Sequence, residues 1–107
     1  MNITKMKNTQ VLRIEEIEAL DPVTVILQDN GGTGKVIIEC YGEAWSTYFG
    51  GIGKQTLNEF LSKCDSCYLS NRIINRRFHK PTKREEGYVK RIAQAVIEAC
   101  RIMGKRN

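Results

Sequence analysis

The feature that most constrains this chain is a pair of β-branched runs, VTVILQ (residues 23–28) and KVIIECY (residues 35–41), separated by DNGGTG. Val, Ile and Thr suit the pleated surface of a sheet, and each run is too short and continuous for a helix face. Two such runs joined by a few Asn and Gly residues predict a β-hairpin. VTVILQ is apolar almost throughout and is expected to be a buried strand. Upstream, Asp21-Pro22 punctuates the chain, because proline restricts the residue before it and does not continue a helix. The VLRIEEIEAL segment before it fits strand or helix on propensity alone.

NGGTGKV (residues 30–36) looks like a phosphate-binding loop. Such a loop needs Gly, four residues, then Gly-Lys-Ser/Thr between a strand and a helix. Counting back from Gly34 puts Asp29 at the first glycine position, and Val36 stands where the hydroxyl belongs. The run after Lys35 reads as strand, not helix. The glycines are assigned instead to a tight turn that needs positive φ. In GGIGKQT (residues 50–56) the first glycine position falls on Tyr48, and Gln55 follows Lys54. This stretch reads as a connecting loop, although the helix beginning there has an amino end suited to holding an anion weakly.

That helix is signalled by a capping box, Thr56 with Glu59, and by an apolar face of Leu57, Phe60, Leu61 and Cys64. After a break near Asp65-Ser66, helix resumes through Tyr68, Leu69, Ile73 and Ile74. NRRFHKPTKREE (residues 75–86) is a linker or exposed loop. A last helix opens on a second capping box, Thr82 with Glu85, just after Pro81. Its core stripe is Val89, Ile92, Val96, Cys100 and Met103, with Gly104 placed to end it. Gly87 lies in its first turns and favours fraying there. YGEAWSTYFGG (residues 41–51) is read as a short helix capping the sheet, with Trp45, Tyr48 and Phe49 on one face. The fold class is therefore α+β: an N-terminal antiparallel sheet of two to three strands packed against three or so C-terminal helices. Residues 1–107 are expected to form a single domain, with residues 1–10 a loose arm.

Charge is distributed unevenly. Residues 1–70 carry six Lys/Arg against nine Asp/Glu, and residues 71–107 carry eleven against three, within a net +5. A basic C-terminal third on a mildly acidic body suggests an acidic partner, either a protein or nucleic acid; the plain alternative is a solvated helical face. The sharpest cluster is NRIINRRFHKPTKR (residues 71–84), where Arg72, Arg76, Arg77, Lys80, Lys83 and Arg84 surround Phe78. Arg72 and Arg76 would share a face if helical. The cluster could neutralise phosphates while Phe78 stacks on a base. Trp45, Tyr48 and Phe49 offer a second candidate patch, since Trp and Tyr are enriched at interface hot spots.

Catalysis is not expected. CDSC (residues 64–67) falls at the end of a helix and has no second closely spaced pair, so neither a redox couple nor a zinc site is assigned. Cys40 and Cys100 read as small buried hydrophobes. His79 sits among cations with no evident carboxylate to orient its ring. No cofactor and no metal are predicted. MNITKMKNTQ lacks the apolar core of a signal peptide, and no run of 18 apolar residues could span a membrane.

LDPVTVIL together with VIIECYGEAWSTYFGGIGKQTLNEFLSKCDSCYLSNRI resembles small accessory proteins of temperate tailed phages and prophages of enteric bacteria. The resemblance covers residues 20–74, leaves the basic C-terminal helix unmatched, and transfers no functional residue. It implies a non-enzymatic protein in the host bacterial cytoplasm that binds a host protein stoichiometrically, for host modulation or counter-defence, an anti-CRISPR-like inhibitor being one form; the charge layout makes an acidic surface the expected partner. The alternative it leaves open is a nucleic-acid-binding regulator using the basic third.

Overall fold

The β-branched runs become strands β2 (Val23–Asp29) and β3 (Gly34–Cys40), paired antiparallel from Val23↔Cys40 to Asp29↔Gly34. The computed structural model describes residues 1–77 and 79–106. β1 (Thr9–Ile14) flanks β2 and β4 (Glu43–Phe49) flanks β3, giving the sheet order β1-β2-β3-β4. The α+β class is the observed one, but the sheet has four strands rather than two to three. VLRI within the ambiguous segment is a strand, and Thr9 and Gln10 from the arm open it.

The fourth strand lies where a helix was expected. Trp45 and Phe49 are four residues apart, a spacing that fits one face of a helix and one face of a strand equally well. The turn before them decides the matter. Tyr41 and Gly42 have φ of 50° and 82° and form a two-residue hairpin corner between the paired Cys40 and Glu43. Tyrosine rarely adopts positive φ, so composition did not advertise this turn.

Side chains alternate across the sheet as strand geometry requires. Val23, Val25 and Leu27 of β2 are buried, while Thr24, Ile26 and Gln28 between them are half-exposed. VTVILQ is thus buried on one face only. Val36, Ile38 and Cys40 of β3, with Trp45 and Phe49 of β4, extend the same inward face. Helices α1 (Leu57–Ser62), α2 (Ser66–Ile73) and α3 (Lys83–Arg106) cover it. They supply Leu57, Leu61, Leu69, Ile73, Val89, Ile92, Val96 and Cys100 to one core. Full burial of such a side chain stabilises by about 1.5–3 kcal/mol, which is why this face is the closed one.

The helix ends follow their caps. Thr56 Oγ1 accepts from the Glu59 N–H, and the Glu59 carboxylate accepts from the Thr56 N–H. Asp65 breaks the next segment by capping α2, accepting from the Tyr68 N–H at 2.8 Å. Thr82 Oγ1 accepts from the Glu85 N–H at 3.1 Å at the start of α3. Gly104 does not end α3, which continues to Arg106. A glycine inside a helix costs about 1 kcal/mol, too little to stop one on its own.

The two glycine stretches pack together. Gly31 and Gly32 have φ of 71° and 83°, as a tight turn demands. Gly34 is glycine for another reason: a Cβ there would meet Leu57 Cδ1 at 2.8 Å. The Ile52 N–H donates to the Gly32 carbonyl at 2.9 Å. Asp29 accepts from the Gly31 N–H at 3.0 Å and from the Leu57 N–H at 2.9 Å. The amino end of α1, which the sequence offered to an external anion, is met by this carboxylate of the chain itself.

Candidate interaction surface

β4 is an edge strand, and the fold sets the basic segment beside it. Arg72, on α2, reaches across to that edge: its Nε donates to Thr47 Oγ1 at 3.3 Å and its Nη2 to the Tyr48 carbonyl. The same guanidinium lies 4.8 Å from the centre of the Phe49 ring. Arg72 therefore fastens α2 to the sheet through hydrogen bonds and a cation–π contact. It does not share a helical face with Arg76, because α2 ends at Ile73 and Ile74 turns extended. Arg76 folds back instead, donating to the Asn71 carbonyl at 3.3 Å and to Asn71 Oδ1 at 3.1 Å. The Arg77 N–H donates to Asn75 Oδ1 at 2.8 Å, which tightens the turn that carries both arginines.

Between this turn and the edge strand lies an open groove of about 480 Å³. Ala44, Trp45 and Ser46 of β4 form one wall, and Ile73, Ile74, Asn75, Arg76 and Arg77 the other, with Arg72 at its end. Among the described residues its lining holds three arginines and no carboxylate. Trp45 and three arginines of the basic segment, far apart in sequence, thus line one groove.

The aromatic candidates do not contribute equally. Trp45 and Phe49 are only 8% and 4% exposed. Trp45 packs edge-on against Tyr88, with centroids 6.1 Å apart, and Phe49 packs against Phe60 at 4.9 Å. Both face the core, so Tyr48, 54% exposed, is the member of that set open to solvent. Lys80, Lys83 and Arg84 are exposed beyond the groove. Phe78 lies outside the described residues.

His79 corrects an expectation. Its Nε2 stands 3.1 Å from Glu85 Oε2, so a carboxylate does orient the ring. That hydrogen bond, followed by the capping contacts with Thr82, holds the Glu85 carboxyl below its ordinary range. The sequence signal was present in the Thr82–Glu85 box, which fixes Glu85 at the helix start, but its reach back to His79 depends on the intervening turn. Asn71 and Thr47, the partners of Arg76 and Arg72, carried no comparable signal.

The cysteines of CDSC diverge. Cys64 is buried with its thiol 3.4 Å from the Phe60 carbonyl, whereas Cys67 is exposed on α2. Burial pushes the Cys64 thiol up, and it takes the Cys100 thiol up to about 11. Among the described residues no group of three or more His, Cys, Asp or Glu could hold a metal ion. Nor is any helix among them long and apolar enough to cross a membrane.

An antiparallel meander with one face closed by three helices, and an arginine-lined groove along its edge, defines a small α+β protein. The chain belongs to a phage protein family, Phage_phiTE_072, whose sequence model matches residues 1–103. That match takes in most of the basic C-terminal helix, which the resemblance read from sequence had left out. No curated protein matches the chain, and no solved structure does.

Proposed function

We propose that this phage protein works without catalysis, as an accessory factor in the host bacterial cytoplasm that binds an acidic host protein stoichiometrically and so modulates the host or blunts its defences. The observation that carries this reading is the groove itself: an edge strand and three arginines share one open surface, with no carboxylate in its lining among the described residues. Such an arrangement complements an acidic protein surface and steers it into register. Burial, which pushes the Cys64 and Cys100 thiols up, disfavours a nucleophilic role for either. Binding of nucleic acid draws on the same cations, with Lys80, Lys83 and Arg84 extending the charge beyond the groove.

Affinity capture from host lysate by the tagged full chain, with and without nuclease, separates the two. The expected result is a host protein recovered near one-to-one, unaffected by nuclease and lost in the Arg76→Glu/Arg77→Glu variant. Tight nucleic-acid binding at physiological salt, lost when Arg76, Arg77 and Lys80 become Ala, would reverse the choice.

A further inference from the structure

We propose that the segment bound in this groove is an extended acidic peptide that lies along β4 as a fifth strand, an inference that rests on the protein-partner reading above. It would pair with the backbone of Ala44 and Ser46 and set its carboxylates against Arg76 and Arg77.

Two observations fix which backbone groups are available. A two-residue hairpin makes the residues flanking its turn a hydrogen-bonded pair, here Cys40 and Glu43. Bonded and non-bonded pairs then alternate, so Trp45 and Thr47 bond to β3 while Ala44, Ser46 and Tyr48 turn their N–H and C=O groups outward. The Tyr48 carbonyl fits this phase, because it accepts from the guanidinium of Arg72 on α2. Arg72 therefore occupies the outer edge at Tyr48 and leaves it open at Ala44 and Ser46. These two lie about 7 Å apart along the strand, enough for a short stretch of ladder.

The two walls select the occupant. Rows of alternating donors and acceptors match another peptide backbone, which is how strands are recruited to sheet edges. A phosphate chain finds carbonyl oxygens on the same row, and the buried ring of Trp45 gives bases no platform on which to stack. The opposite wall selects charge: among the described residues Arg76 and Arg77 stand across the groove from Ala44 and Ser46, and the nearby carboxylates of Glu43 and Glu85 lie past its Ala44 end, so the added strand's acidic side chains belong on the Ser46 side. Arg72, already committed to Tyr48, acts as the stop that sets where the added strand ends.

The test uses a capped, fluorescein-labelled peptide of alternating threonine and glutamate, its lysine-for-glutamate counterpart and a ten-nucleotide oligothymidylate. Anisotropy on the full chain should show binding of the glutamate peptide and none of the lysine peptide. Amide exchange at Ala44 and Ser46 should slow at least fivefold when the glutamate peptide is bound. Ser46→Pro removes an outward N–H without touching the β3 ladder, and should weaken the peptide at least fivefold. Arg76→Glu/Arg77→Glu, at exposed positions, should do the same, and circular dichroism reports whether either variant is folded. No peptide binding at millimolar concentration, no change in amide exchange, a smaller loss in folded variants, or oligothymidylate displacing the peptide overturns the proposal. Host-protein capture that persists in folded Ser46→Pro overturns strand pairing alone, whereas failure of capture by the unaltered chain overturns the underlying reading.

Discussion

Gly34→Ala should destabilise the protein through a single collision. Gly34 opens β3 opposite Phe49 and is buried. An added Cβ would stand 2.8 Å from Leu57 Cδ1, 3.0 Å from Cδ2 and 3.2 Å from Cγ, against an optimal carbon separation of about 3.5–4.0 Å. Leu57 is 1% exposed and its N–H is tied to Asp29, so its backbone is not free to retreat. Forcing a methyl into a packed core typically costs about 1–3 kcal/mol. Losing glycine's freedom in the unfolded chain returns about 0.4–1 kcal/mol, leaving a net destabilisation centred on about 1.3 kcal/mol. Leu57→Ala alone should cost about 2–5 kcal/mol, because it leaves a cavity. In the double variant the new methyl enters that cavity, so the two costs should fall short of additive by at least about 1 kcal/mol. Urea unfolding followed by circular dichroism measures all three, with an unchanged m-value showing that stability alone has moved. A neutral Gly34→Ala, or costs that add within about 0.5 kcal/mol, refutes the claim that Leu57 fills the space beside this glycine.

Asp29→Ala removes the acceptor of both the Gly31 and Leu57 N–H groups, and should cost about 1–3 kcal/mol in the same assay. An unchanged midpoint would mean the carboxylate does not join the turn to α1. With an aromatic disulfide reagent at pH 8, the exposed Cys67 should react fast, while Cys40, Cys64 and Cys100 react only on unfolding. More than one fast thiol per chain contradicts that burial. Glu85 is held below its ordinary carboxylate range by His79, so its stabilising contribution is complete above that range and lost as pH falls through the lowered value. Carboxyl NMR should place its midpoint below the free-glutamate value and return it towards that value in His79→Ala; no difference between the two proteins would remove His79 as the cause.

Much of the fold could be read from local chemistry. The capping boxes at Thr56 and Thr82, the Asp65 break and the β2–β3 hairpin each depend on residues within a few positions of one another, so sequence spacing alone carries them. β4 was missed because Trp45 and Phe49 satisfy both periodicities and because Tyr41 accepts a backbone conformation that its side chain disfavours. The role of Gly34 was misassigned for a different reason: its neighbour, Leu57, lies across a tertiary contact that no local pattern encodes. The candidate surface was half legible. Charge clustering picked out Arg72, Arg76 and Arg77, but only the packing of α2 against β4 shows that Arg72 is spent holding the sheet edge. Burial removed Trp45 and Phe49 from the surface, since an aromatic cluster looks the same in sequence whether it faces a partner or the core.

A strand order that follows chain order has a consequence for synthesis. Each sheet pairing becomes available as soon as the next strand exists, and hairpins close in about 1–10 μs. The cover arrives late, since Ile92, Val96, Ile97 and Cys100 all belong to α3. At a translation rate of about 5–20 residues per second, the roughly 50 residues from Phe49 to Cys100 take about 3–10 s to make. Until α3 is made, α1 and α2 can close only part of the inward face, and the rest of its apolar side chains stay uncovered. The growing chain on the ribosome, more than the finished protein, is then the species on which chaperones and aggregation act.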